Sequence, residues 1–330
     1  MELQCPVCAS PKTELYLDGD DNEISLQSVG SSRTLLSHGK ILRCKSCGLA
    51  YRSFRPQNEQ LASLYRAADD SSYEAEMPNR WRTAKRHQKI IDAYVPGKGS
   101  LLDIGCASGA FLRLMRDAGW DGHGVEPSES QFRRASKLLG GSSHIQQCVL
   151  QDAMLVGDFD LVTLWDVLEH VTEPAPFLQL AASHLKEGGY LILNVPRVDS
   201  PGARLLGSRW PLLLAEHLNY FTIPSLRICG EFAGLRLVHT GQRPSSFSLG
   251  YVFFRAGQHK IPGSTLLNRA VSKSKTSRWS IPVWLGEIYA IFQKKSLKGP
   301  RPAVPGSRGG IKIYPYRQAL FRESSLLSPL

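Results

Sequence analysis

Leu101-Leu102-Asp103-Ile104-Gly105-Cys106-Ala107-Ser108-Gly109 is the stretch that decides the fold of this 330-residue chain. Residues 100–104 form an apolar run with the length of a buried strand. The run breaks at a glycine turn, after which Phe111, Leu112, Leu114 and Met115 follow at helical spacing. Glycines at such a turn let the backbone approach a ligand closely, and the helix N-terminus beyond it offers unpaired N–H groups. Outward from the turn the alternation repeats. Residues 119–125 read as a second strand, 128–139 as a helix, 145–149 as a third strand and 159–164 as a fourth. A helix over 176–185 then leads to a fifth strand at 190–195. Strands separated by helices need crossover connections, which build a parallel sheet covered on both faces. Residues 234–240 and 287–292 read as two further strands, separated by a Ser- and Lys-rich insertion (241–285) with a helix over 266–271. The expected fold class is α/β, a doubly wound, seven-stranded, Rossmann-like sheet.

The acids around the turn narrow the ligand. Glu126 stands at the end of the second strand, 21 residues beyond Gly105, where a carboxylate can accept hydrogen bonds from two ribose hydroxyls. The dinucleotide spacing G-x-G-x-x-G is absent; the glycines here are spaced Gly-x-x-x-Gly. Asp103, two residues before the first glycine, would repel a pyrophosphate and attract an ammonium group. A nucleoside carrying positive charge fits these demands, and S-adenosylmethionine has a ribose, an ammonium and a sulfonium.

Asp103-x-Gly105-x-x-x-Gly109, Val125-Glu126-Pro127, the run from Phe159-Asp160 to Glu169-His170, and Leu185-Lys-Glu-Gly-Gly-Tyr-Leu-Ile-Leu-Asn194 occur in this order. Together they resemble the core of a class I S-adenosylmethionine-dependent methyltransferase. The resemblance implies a seven-stranded sheet whose last strand is antiparallel. It implies that Asp103, Gly105, Cys106, Gly109, Glu126 and Pro127 hold the donor, with Trp165 and Asp166 on its sulfonium side. It also implies that the loop at Leu150 and Gln151 packs on the adenine. The acid that the family often carries at this point is not at Val149, so the resemblance leaves the adenine N6 contact to Gln151, Asp152 or backbone. Cys106 reads as a small turn residue rather than a nucleophile, and Glu169 and His170 as orienting the start of the following helix.

Cys5-x-x-Cys8 and Cys44-x-x-Cys47 are two knuckles. Four thiolates in two such pairs are the usual tetrahedral zinc set, structural because no ligand position stays open. The chain is therefore read as a zinc ribbon (1–58), a helical linker or lid (59–95), a methyltransferase domain (96–295) and a basic tail (296–330). The ribbon lacks a dense basic stripe with interleaved aromatics, so it reads as a folding staple and substrate lid rather than a nucleic-acid binder. Zinc knuckles joined to this core resemble bacterial enzymes that modify sugars and other small metabolites.

Glu216-His217-x-x-Tyr220-Phe221 resembles a run of sugar C-methyltransferases in which the His and Glu serve in the active site. Deprotonating an acceptor suits a His near neutral pH, so His217, with Glu216, is the candidate base. Those relatives carry a Tyr two residues before the Glu. Leu214 stands there in this chain, which favours an oxygen over a carbon acceptor on a small, sugar- or lipid-linked metabolite.

The net charge of +11 is concentrated at one end. Residues 241–330 hold 15 of the 40 Lys+Arg and only two of the 29 acids, Glu287 and Glu323, so the rest of the chain is close to neutral. Such an end fits an anionic partner, either a membrane surface, a nucleic acid or a phosphorylated substrate, and equally a solvated tail. Trp279, Trp284 and Tyr289 beside Lys273, Lys275, Lys294 and Lys295 fit the membrane surface. The alternative reading is a nucleic-acid-binding or RNA/DNA-modifying protein that uses the zinc ribbon and the basic C-terminus, although the motif Asn/Asp-Pro-Pro-Tyr/Phe, which places amino-group acceptors in DNA methyltransferases, is missing. No apolar run reaches the roughly 18 residues of a spanning helix. The N-terminus has no basic or apolar signal region, so a cytoplasmic location is expected.

Overall fold

The computed structural model describes residues 4–19, 38–67, 76–258, 263–272 and 274–295. The tail at 296–330, most of the spacer between the two Cys pairs and Lys273 lie outside the described residues. β1 (Thr13–Leu17), β2 (Ile41–Cys44) and β3 (Ala50–Arg52) form an antiparallel meander that carries the cysteine knuckles at its turns. Its fourth strand, β9 (Asn219–Tyr220), comes from far along the chain and pairs Ala50 with Tyr220 and Tyr51 with Asn219.

Two helices follow the meander. α1 (Asn58–Ala67) buries Leu61, and α2 (Met77–Tyr94) starts with Pro78 in its first turn and buries Ala84, Ile90 and Ile91. The alternating part then runs β4 (Ser100–Ile104), α3 (Ala110–Asp117), β5 (Asp121–Val125), α4 (Glu129–Leu139), β6 (Ile145–Gln146), β7 (Phe159–Trp165), α5 (Pro174–Ser183) and β8 (Leu185–Pro196). α6 (Pro201–Leu206) precedes β9, and α7 (Ile223–Phe232) and β10 (Leu235–Gly241) follow it. The chain ends its described part with β11 (Ser245–Ser248), α8 (Leu249–Gln258), α9 (Ser264–Ser272), β12 (Ser280–Val283) and β13 (Glu287–Lys294).

The main sheet has the order β10-β13-β8-β7-β4-β5-β6. β4 to β8 are parallel, and β13 lies antiparallel to both β8 and β10. This is the expected seven-stranded, doubly wound sheet with a reversed last strand. Its middle strands are apolar on both faces, as a sheet covered on both sides requires. Leu102, Leu164 and Leu193 belong to one buried cluster, and Leu101, Leu161 and Ile192 to another.

The third strand shrinks to two residues, because Leu150–Asp152 turns into a 3₁₀ segment. Within the insertion, a helix at Leu249–Gln258 and a two-stranded ribbon of β11 and β12 were not legible. Short two-stranded pieces carry little pattern, and Pro282 argues against a strand except at an edge. Tyr289 is buried in β13, and Lys294 donates to the Leu185 carbonyl (2.5 Å). Neither belongs to the surface patch the sequence suggested. No helix among the described residues is long and apolar enough to cross a membrane.

Candidate active site

The register of the sheet puts the first acid in place. β4 and β7 pair Asp103 with Thr163, so the Thr163 hydroxyl donates to Asp103 Oδ1 at 2.7 Å. Asp103 is 2 % exposed, and burial raises its pKa to about 7 despite that hydrogen bond. Glu126, at the tip of β5, accepts from the backbone N–H groups of Ser128 and Ala107, both at 2.8 Å. Those bonds fix the carboxylate across the glycine turn, while burial pushes its pKa up.

The two glycines differ in what they permit. Both have positive φ; a Cβ on Gly105 would lie 2.8 Å from Val167 Cγ2, and one on Gly109 3.1 Å from Ala135 Cβ of α4. Gly109 therefore lets α3 and α4 close together, and only Gly105 of the pair faces the cavity. Cys106 is buried with its thiol pKa far above the usual value, an inert group that fits its reading as a small turn residue.

A cavity of about 620 Å³ opens from this turn, within the usual range for ligand pockets of about 300–1,000 Å³. Asp103, Gly105, Cys106, Trp165, Asp166, Glu216 and His217 all line it. Gly109, Glu126, Pro127, Leu150 and Gln151 do not. Leu150 is buried in the core cluster, and Gln151 is exposed on the 3₁₀ turn. Asp166 has a positive φ of 57°, a strained position for a non-glycine residue, and accepts from Asn194 Nδ2 at 2.7 Å.

His217 lines the same cavity as Asp103 and Gly105. Its Nδ1 is 2.9 Å from the Leu212 carbonyl, which can only accept, so Nδ1 carries the proton and Nε2 the lone pair. Burial and the neighbouring His170 hold the ring well below the usual His pKa, which leaves it neutral. Leu218 N donates to the Glu169 carbonyl (2.8 Å), binding the His217 segment to the turn after β7.

Glu169 and His170 accordingly do not cap α5, as the sequence suggested. That helix starts at Pro174 without a side-chain cap, and both residues line the cavity instead. One ligand atom from each of Glu169, His170 and His217 lies within 4.8 Å of the others. Tyr65 of α1 keeps its proton, because burial raises its pKa, and its hydroxyl lies 2.8 Å from His170 Nδ1. Burial lowers the His170 pKa to about 4 and raises that of Glu169. Glu287, at the start of β13, is pushed up to about 8.

His87 was missed by the sequence reading. It stacks on Trp165 with ring centres 3.7 Å apart and planes 8° apart, roofing the cavity from α2. Burial takes its pKa down to about 3. Its place three residues beyond Ala84 and four before Ile91, on the helix's buried face, was the available signal.

The ribbon braces this segment from outside. The Arg52 side chain donates to the Ala215 carbonyl (2.5 Å), Arg52 N to the Leu218 carbonyl (3.0 Å) and Thr222 Oγ1 to the Cys47 carbonyl (3.1 Å). The sulfurs of Cys5 and Cys47 are 3.6 Å apart, as are those of Cys8 and Cys44, and all four lie within 4.8 Å. Four sulfurs placed tetrahedrally at about 2.3 Å from a zinc ion would be about 3.8 Å apart, so the donor set and spacing suit that ion.

Comparison with known proteins agrees with this geometry. A family model described as a methyltransferase domain matches residues 73–240. A tRNA U34 carboxymethyltransferase of Edwardsiella ictaluri is 32% identical over 184 residues, covering 50% of this chain and 55% of the relative. A ubiquinone biosynthesis O-methyltransferase of Psychrobacter arcticus is 30% identical over 121 residues, 33% of this chain and 44% of the relative. The chain thus spans about half the length of the relatives it matches. Among solved structures, magnesium protoporphyrin IX methyltransferase of Synechocystis PCC 6803 with bound SAH is 15% identical, with a TM-score of 0.46. That match covers 72% of this chain and 100% of the other. With its family model matched over half its length, the chain belongs to the family of S-adenosylmethionine-dependent methyltransferase domains, with class I architecture.

Proposed function

We propose that the protein transfers a methyl group to an oxygen of a small, sugar- or lipid-linked acceptor, with His217 as the base. The observation that carries the reading is a neutral, buried imidazole in one continuous cavity with Asp103 and the glycine turn. S-adenosylmethionine, when bound, supplies an electrophilic methyl on a positively charged sulfur. Asp103 would hold its ammonium and Trp165 and Asp166 would face its sulfonium, while Glu126, outside the cavity lining, would reach its ribose from across the glycine turn. His217 Nε2 would take the hydroxyl proton as the acceptor oxygen bonds the methyl carbon, the carbon–sulfur bond breaking and S-adenosylhomocysteine leaving. Glu169, with a carboxyl oxygen within 4.8 Å of a His217 ring nitrogen, and Glu216, which lines the same cavity, would balance the imidazolium charge in their ionised forms. Carbon methylation is disfavoured because Leu214 stands where the C-methylating relatives have a Tyr. The four ribbon thiols are proposed to hold a structural zinc ion.

Incubation with methyl-labelled S-adenosylmethionine and an extract of the protein's own cell tests the acceptor class. The label is expected in a ribonuclease-resistant, small or lipid-soluble fraction. Label in RNA would overturn the reading and favour the substrate class named for the tRNA-modifying relatives. His217→Ala should lower kcat by about 10²–10⁴-fold while donor affinity stays put; undiminished turnover would remove His217 as the base.

A further inference from the structure

The insertion between β10 and β13 has a composition unlike the rest of the chain. Residues 241–286 contain no Asp or Glu and seven Lys+Arg. In the structure this acid-free segment forms one side of the cavity mouth through α8 and the end of β12, with Arg255, Val283 and Trp284 in the lining. Its large apolar side chains are turned outward. Trp279 is 65% exposed and Trp284 64%, one at each end of β12, with Leu267 and Phe254 also exposed. Lys275, Arg278 and Arg269 are exposed beside them on the same insertion. Leu205 of α6 is 85% exposed between the exposed Arg204 and Arg209, and its neighbour Leu206 lines the same cavity. Two segments that line the cavity thus carry exposed apolar side chains set among cations.

We propose that these segments dock on an anionic lipid bilayer and that the acceptor enters the cavity from that bilayer as a lipid-linked species. The second half rests on the reading given under Proposed function. Tryptophan settles at the headgroup level of a membrane, and neighbouring Lys and Arg are drawn to anionic headgroups. RNA would satisfy the cations but would gain little from burying Leu205 and Leu267, which is why the bilayer is favoured. Attachment of this kind lies on the surface and needs no spanning helix. It also explains why Leu205, Trp279 and Trp284 stand exposed on segments that line the cavity.

The test uses the full chain with vesicles of phosphatidylcholine alone or mixed with phosphatidylglycerol. Binding is expected only to the mixed vesicles, with a blue shift of tryptophan emission and loss in high salt. The double variant Lys275→Glu/Arg278→Glu should bind about thirty-fold more weakly, from roughly fivefold per basic residue at the surface. Trp279→Ala should abolish part of the blue shift and leave donor affinity unchanged. The proposal is overturned by equal binding to both vesicle types, by no binding, or by variants that bind like the parent. Displacement of the vesicles by tRNA at comparable concentration would point to RNA and also overturn it. Donor binding, measured calorimetrically on the same samples, reports separately on the methyltransferase reading.

Discussion

As the proposed partner of the donor's ammonium, Asp103 would tie affinity for the donor to pH. Its pKa of about 7 means that the carboxyl is neutral below that pH and charged above it. A cationic ligand favours the charged form, so its affinity is fully present above about pH 7 and lost as pH falls through it. Well below pH 7 the decline should approach tenfold per unit. Calorimetric titration from pH 8 to about 5.5 checks this; binding should also release a proton near pH 7. Asp103→Asn should flatten the profile and bind weakly at every pH. The motif spacing revealed the identity of this residue. Its protonation state was not legible, because that follows from burial at 2 % exposure and from Thr163 across the sheet.

At the scale of elements, the ribbon and the candidate base form one mechanical unit. β9 follows His217 by one residue and completes the ribbon's sheet, and Arg52 holds the Ala215 carbonyl from beneath. Removing the proposed zinc ion with a chelator, or by Cys44→Ser, should therefore lower Tm and slow turnover. Donor binding should survive, because the glycine turn belongs to the other sheet. Loss of both activities together, measured by calorimetry and a turnover assay, would show that the ribbon supports the whole fold instead. The sequence marked the four thiols through their spacing. That they brace His217 depends on a pairing between residues more than 160 positions apart, Ala50 with Tyr220, which no local pattern encodes.

Over the whole molecule, the cavity gathers residues from α2, β4, the turn after β7, the segment before β9, the insertion and β13. A donor bound among elements this distant in sequence should stabilise all of them cooperatively. At a hundredfold excess over its Kd the gain is about 2.7 kcal/mol, read as a rise in the denaturation midpoint. No rise would mean that the cavity does not take the donor. The sequence by itself determined the sheet, the glycine turn, the two acids, the thiol pairs and the basic end, because strand–helix alternation and ligand spacing are local patterns. Only the tertiary structure brought Glu169, His170 and Tyr65 beside His217, stacked His87 on Trp165 and turned Trp279 and Trp284 outward. Those placements depend on which strands pair and which faces are buried, and long-range packing alone sets both.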